Sequence, residues 1–217
     1  MDGKTSHSGV GHAFVPGLGR AALTPFYDLV TRFSGVGGLF DEMIRLADVQ
    51  PGQRALDVGC GTGNLLMTLG RRHPGVDLSG LDPDARMLAT AARKARRKGV
   101  AATWQRGFAQ DLPYPDGAFD RVFSSLMLHH LDPQAKVALL AGVRRVLRPD
   151  GLFVLADLDG HGAVHGHGPM ARRMASSDLV HDNAGMVERV AAAGFTVEPV
   201  TTFPLRIGAI TIVRARP

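Results

Sequence analysis

The chain has 217 residues, 45% hydrophobic and 21% charged, with a net charge of +5 and an isoelectric point near 10.0. That size and balance predict one globular domain with a single good core. One cysteine, Cys60, excludes an intramolecular disulfide; no apolar run has the length of a membrane span, and the first residues lack a secretion signal's apolar core, so cytoplasm is the expected compartment.

Residues 1–19 are rich in glycine and histidine and have little periodicity, and a flexible segment is expected there. The remainder, 20–217, reads as one domain whose first part, 20–50, is a helical cap. Leu23, Phe26, Tyr27, Val30 and Phe33 recur at helical spacing over 21–33, with Pro25 suited to the first turn. A second helix is expected over 39–46, ended near Pro51-Gly52.

Arg54–Val58 then reads as a short buried strand. Gly59, Gly61 and Gly63 alternate behind it, and a helix-like run follows over 65–71. A strand, a tight glycine turn and a helix start form the arrangement by which α/β proteins hold nucleotide-like ligands. The dinucleotide fingerprint is G-x-G-x-x-G, but here Asn64 stands where its third glycine belongs. Asp57 precedes the loop at the strand end. A carboxylate there repels a pyrophosphate and suits a cationic ligand such as an α-ammonium group.

The stretch Ala-Leu-Asp-Val-Gly-Cys-Gly-Thr-Gly-Asn, residues 55–64, resembles motif I of the class I S-adenosylmethionine-dependent methyltransferases. The resemblance implies that Asp57, Gly59, Cys60, Gly61, Gly63 and Asn64 hold the amino-acid end of that cofactor. Tyr27-Asp28 is similar to a Tyr-Asp pair near the start of the ubiquinone- and menaquinone-biosynthesis C-methyltransferases. That likeness places Tyr27 near the methionine part; an amphipathic helix resting on the sheet is the alternative.

A second strand over 76–81 ends in Asp82-Pro83. An acid about twenty residues beyond the glycine loop is where a ribose diol is read, since two carboxylate oxygens accept from two vicinal hydroxyls. Capping the next helix does not require Asp82, because Asp84 is equally able to do so. Met87, one turn into that helix, lies either against adenine or in the core. Arg93, Lys94, Arg96, Arg97 and Lys98 crowd the helix end, where cations complement the dipole. No aromatic residues interleave with them, so nucleic acid is not an expected partner.

A third strand is expected over 101–108. Residues 108–114, Phe-Ala-Gln-Asp-Leu-Pro-Tyr, resemble the Asp-Ala-x-x-Leu-Pro-Phe stretch of the same methyltransferases. There the first acid meets the adenine amino group, but this chain has Phe108 at that position. Packing on Phe108 and the backbone at Ala109 and Gln110 are the expected substitutes.

A fourth strand over 119–124 is followed by Ser124, Ser125, Leu126, Met127, Leu128, His129 and His130. Strand carboxyl ends carry the site in parallel α/β sheets, which places Ser124 and the two histidines near the transferred methyl group. His129 or His130 is the candidate base, because imidazole titrates near neutral pH. Packing or cofactor support is the alternative role. A helix over 134–147, Arg148-Pro149-Asp150-Gly151 and a fifth strand over 152–156 come next.

Residues 157–168 form a glycine-rich loop with His161, His165 and His167. Without a cysteine partner or a regular element to hold them, no metal site is expected. Asp182-Asn183 is similar to the metal-binding pair of catechol-type O-methyltransferases but precedes a helical run over 184–193, so a helix cap is the reading taken. Strands over 195–200 and 207–214 close the chain.

The resemblance implies an α/β, Rossmann-like doubly wound sheet of seven strands. It is mostly parallel, with an antiparallel C-terminal strand and helices on both faces. The implied reaction is methyl transfer to a small-molecule or lipid-like acceptor: a quinone precursor, a phenol or enol carbon or oxygen, or an amine. The alternatives are a cofactor-binding protein of the same fold without catalysis, and an NAD-dependent oxidoreductase.

Overall fold

A computed structural model describes residues 36–158, 185–205 and 208–217. The segment with Tyr27, the His161–His167 run and Asp182-Asn183 lie outside them. The elements in chain order are α1 (Val36–Ala47), β1 (Arg54–Val58), α2 (Asn64–Arg72), β2 (Asp77–Asp82), α3 (Ala85–Lys98), β3 (Thr103–Arg106) and β4 (Phe119–Ser125). A 3₁₀ turn (Leu128–His130), α4 (Pro133–Val146), β5 (Leu147–Asp157), α5 (Met186–Ala192), β6 (Thr196–Val197), β7 (Thr201–Leu205) and β8 (Gly208–Arg216) complete the chain.

The sheet runs β3-β2-β1-β4-β5-β8-β6, with β7 also on β8. Strands β1 to β5 are mutually parallel, and β8 is antiparallel to β5. Ile212 pairs with both Ala156 and Thr201, and Ala215 with both Phe153 and Val197. So β6 and β7 share the edge of β8 opposite β5 and act as one broken seventh strand. The continuous strand expected over 195–200 stops at Val197, just before Pro199, which has no N–H to give a ladder.

Two further boundary differences bear on the site. β3 ends at Arg106, so Phe108, Ala109 and Gln110 stand in the loop beyond it. β5 takes in Leu147 through Asp157, with a register shift between Phe119 and Arg121 where the Arg-Pro-Asp-Gly excursion is absorbed. Asp157, expected to open a loop, is the buried last residue of that strand.

Alternation along the strands feeds two cores. Leu56 and Val58 pack with Leu139, Leu140 and Val143 of α4 and with Met186 and Val190 of α5. Ala55 and Phe123 pack on the other side with Leu39 and Met43 of α1 and Leu65, Leu66 and Leu69 of α2. Asp57, two residues from Ala55, shares this second face. All five parallel strands point their carboxyl ends the same way, so the glycine loop, Asp82, the 3₁₀ turn and Asp157 gather at one rim.

Candidate functional site

The glycine loop is built from left-handed backbone. Gly59, Gly61 and Gly63 have φ of 75°, 51° and 76°, a region that costs other residues about 1–2 kcal/mol. Gly59 N and Cys60 N donate to Leu81 O at 2.8 and 3.0 Å, and Gly63 N donates to Cys60 O at 2.8 Å. Gly63 is also the N-cap of α2.

The three glycines differ in what lies beyond them. A methyl group on Gly59 would sit 2.5 Å from Met127 Cγ, and one on Gly63 would sit 2.6 Å from the Trp104 indole. Among the described residues, Gly61 alone of the three has nothing within 4 Å on that side. Two glycines are therefore required by packing, and the middle one borders open space that a ligand can fill. Gly63→Ala is expected to destabilise the fold by about 2–4 kcal/mol from strain and overpacking, lowering Tm by roughly 5–15 °C in scanning calorimetry. Gly61→Ala is expected to cost only the strain, about 1–2 kcal/mol, in the same measurement.

Asp57 is fully buried, and its Oδ1 has no hydrogen-bond partner among the described residues. Burial, with the nearby Asp82 carboxylate as a lesser cause, pushes its carboxyl up to about 8. Natural interiors rarely leave such an atom unpaired without a ligand to meet it. A cationic group entering beside Asp57 would ionise it and satisfy that oxygen.

Asp82 is buried at the end of β2, and both its oxygens are used. Oδ2 accepts from Gly61 N at 2.8 Å and Oδ1 from Asp84 N at 2.9 Å. Burial raises its pKa, and the two amides counter that rise. Each oxygen keeps a lone pair for a hydroxyl. The α3 cap is Asp84, which accepts from Arg86 N at 2.8 Å, so Asp82 is not needed for capping.

The remaining expected cofactor residues divide. Cys60 is buried against Gly80, with burial raising its thiol well above the usual range, so it contributes backbone rather than a thiolate. The Asn64 amide oxygen accepts from Lys94 Nζ, which also donates to Thr62 Oγ1 at 3.1 Å, tying α3 to the loop. The Pro83 carbonyl accepts from Arg106 Nε at 3.1 Å. Met87 is half-buried on α3. Phe108 is 37% exposed, an unusual state for a phenylalanine, whereas Ala109 is buried. Ser124 is wholly buried with its Oγ unpartnered among the described residues.

The two histidines occupy the 3₁₀ turn with ring centroids 4.0 Å apart. His129 Nδ1 lies 2.6 Å from Asp157 Oδ1. His130 is held below the ordinary imidazole range, chiefly by burial and next by its neighbour His129. The turn is reached through Leu126, which carries a left-handed φ of 53° and donates its N–H to Ala156 O at 2.8 Å. A leucine in that conformation is strained, and such strain collects at functional sites. It seats Met127 over Gly59 and His129 beside Asp157.

Asp157 and Trp104 have no local sequence signal. Their partners stand 28 and about forty residues away and are brought close only by strand order. Among the described residues, no group of three or more His, Cys, Asp or Glu side chains is placed to hold a metal ion. No helix among them is long and apolar enough to cross a membrane.

Residues 55–151 match a family model described as a methyltransferase domain. An uncharacterised methyltransferase of Synechocystis is 36% identical over 137 residues, covering 61% of this chain and 62% of that protein. A demethylmenaquinone methyltransferase of Thermus thermophilus is 34% identical over 138 residues, covering 62% of each. The chain thus spans less than two-thirds of the length of these curated relatives. Among solved structures, a SAM-dependent methyltransferase from Aquifex aeolicus superposes with a TM-score of 0.71 at 18% identity, covering 90% of this chain and 98% of that one. Residues 55–151 are thus similar to a methyltransferase domain, and the chain shares the fold of the Aquifex methyltransferase.

Proposed function

We propose that the protein is an S-adenosylmethionine-dependent methyltransferase acting on a small-molecule or lipid-like acceptor. The observation that carries this reading is the buried Asp57 oxygen at the end of β1, which has no partner among the described residues, ahead of a glycine loop whose Gly61 faces open space among them. A buried acid at this point matches a ligand with an ammonium end and opposes one with a pyrophosphate. The residues fit S-adenosylmethionine: Asp57 for the α-ammonium, Asp82 for the ribose hydroxyls, and Phe108 with the Ala109 and Gln110 backbone for adenine. When bound, this cofactor supplies a methyl group on a sulfonium that leaves as a neutral thioether.

The chain's own work is then to align, to exclude water and to handle a proton. Met127 packs over Gly59 at the glycine loop. His129 and His130 stand at the β4 end of the same rim. The relative named as a demethylmenaquinone methyltransferase favours a quinone-type acceptor. We also propose that 20–217 form one domain with 20–50 as its cap, that Tyr27 approaches the methionine part, and that the protein works in the cytoplasm.

Thermal denaturation with and without ligand tests the reading. S-adenosylhomocysteine at about a hundred times its Kd is expected to add ~2.7 kcal/mol of stability, and NAD at equal concentration none. A shift with NAD and none with S-adenosylhomocysteine would reverse the assignment.

A further inference from the structure

The Asp157 carboxylate is wholly buried, and three donors fix it. His129 Nδ1 approaches Oδ1 at 2.6 Å, Leu158 N donates to Oδ1 at 2.7 Å, and His129 N donates to Oδ2 at 3.3 Å. A neutral imidazole in this setting donates its Nδ1–H to the acid and keeps the lone pair on Nε2. The pair spans the ends of β4 and β5. Met127, two residues before His129, touches the glycine loop at Gly59. His130 is the other titratable group against the ring among the described residues, and its pKa is lowered, chiefly by burial.

We propose that His129 takes a proton from an acceptor bearing a weakly acidic hydroxyl, and that Asp157 is the positioning residue that holds it in the required tautomer. The proposal rests on the methyltransferase reading above. In this step the acceptor's O–H bond breaks with its electron pair left on oxygen, and an N–H bond forms at Nε2. The Asp157 carboxylate balances the imidazolium. A carboxylate acceptor, already ionised at neutral pH, needs no such base, and neither does a tertiary amine. A phenol or enol does, because its oxyanion (or the ring carbon it activates) is the nucleophile.

The first test needs no acceptor: nitrogen-15 NMR of the full chain labelled at histidine. The His129 signals, assigned by their loss in His129→Gln, are expected to show Nδ1 protonated and Nε2 bare at neutral pH. Asp157→Asn is expected to abolish that preference. The second test supplies methyl-labelled S-adenosylmethionine with naphthalene-1,4-diol or hexadecanoate as probes. Label is expected on the diol, and Asp157→Asn should lower its kcat by about 100-fold or more while cofactor Kd stays within about threefold. An Nε2-protonated His129 in the wild-type protein overturns the proposal even if Asp157→Asn misfolds. So does label transfer to hexadecanoate at a rate that Asp157→Asn leaves unchanged. Loss of cofactor binding by the wild-type protein in calorimetry would instead refute the methyltransferase reading and leave the tautomer result standing.

Discussion

Asp57→Asn is expected to lower affinity for S-adenosylmethionine by roughly 100- to 1000-fold, the cost of removing one partner of a buried charge pair. The wild-type dependence on pH follows from the same carboxyl. In the free protein it titrates at about 8, so at pH 7 it holds a proton that a cationic ligand must expel. Affinity should therefore climb as pH rises and level off above about 8, with a slope of up to ~1.4 kcal/mol per unit below that point. Calorimetry in buffers of different ionisation enthalpy should register proton release on binding, and Asp57→Asn should abolish it.

The stability of the ligand-free protein should run the opposite way. The folded pKa of Asp57 is raised above the ordinary 3.8, so the folded state keeps a proton that the unfolded chain has shed. That contribution is present below about 4 and is lost progressively up to about 8 as pH rises. Tm of the wild-type protein should fall across that interval more steeply than Tm of Asp57→Asn. A parallel fall in both would place the effect elsewhere.

Asp82→Ala is expected to weaken cofactor binding by at least ~1.5–3 kcal/mol, the worth of hydrogen bonds to a charged group. The structure adds a second loss, because Gly61 N and Asp84 N would both be orphaned. Each such amide costs about 1–3 kcal/mol, so Tm should drop as well. Methylthioadenosine, which has the ribose and adenine but no amino-acid end, separates the two acids. Asp82→Ala should weaken its binding, and Asp57→Asn should leave it nearly unchanged. Equal effects of both substitutions on methylthioadenosine would contradict the division of labour.

How much of this was legible beforehand depends on the range of each interaction. The glycine loop was readable because its cause is local: three left-handed residues in five positions leave little choice but glycine. The Asp84 cap and the end of β2 were readable for the same reason. Asp57 showed its sign from the motif, but its depth of burial required the packing of α1 and α2. The Asp82 brace on Gly61 spans 21 residues and appears only when β2 lies beside β1. Asp157 was hidden twice over. It follows an apolar run and opens a glycine-rich stretch, a pattern that reads as loop, and its histidine partner lies in the 3₁₀ turn beyond another strand. The break before Pro199 is signalled by the proline itself, against the apolar pattern around it that favours a continuous strand.

The central claim is that the glycine loop and its two acids form a site for S-adenosylmethionine. Calorimetric titration of the purified full chain with S-adenosylmethionine and, separately, S-adenosylhomocysteine tests it most directly. The account predicts micromolar binding of both, at about −8 kcal/mol, tightening from pH 7 to pH 8. No binding of either, with NAD bound in their place, would contradict it.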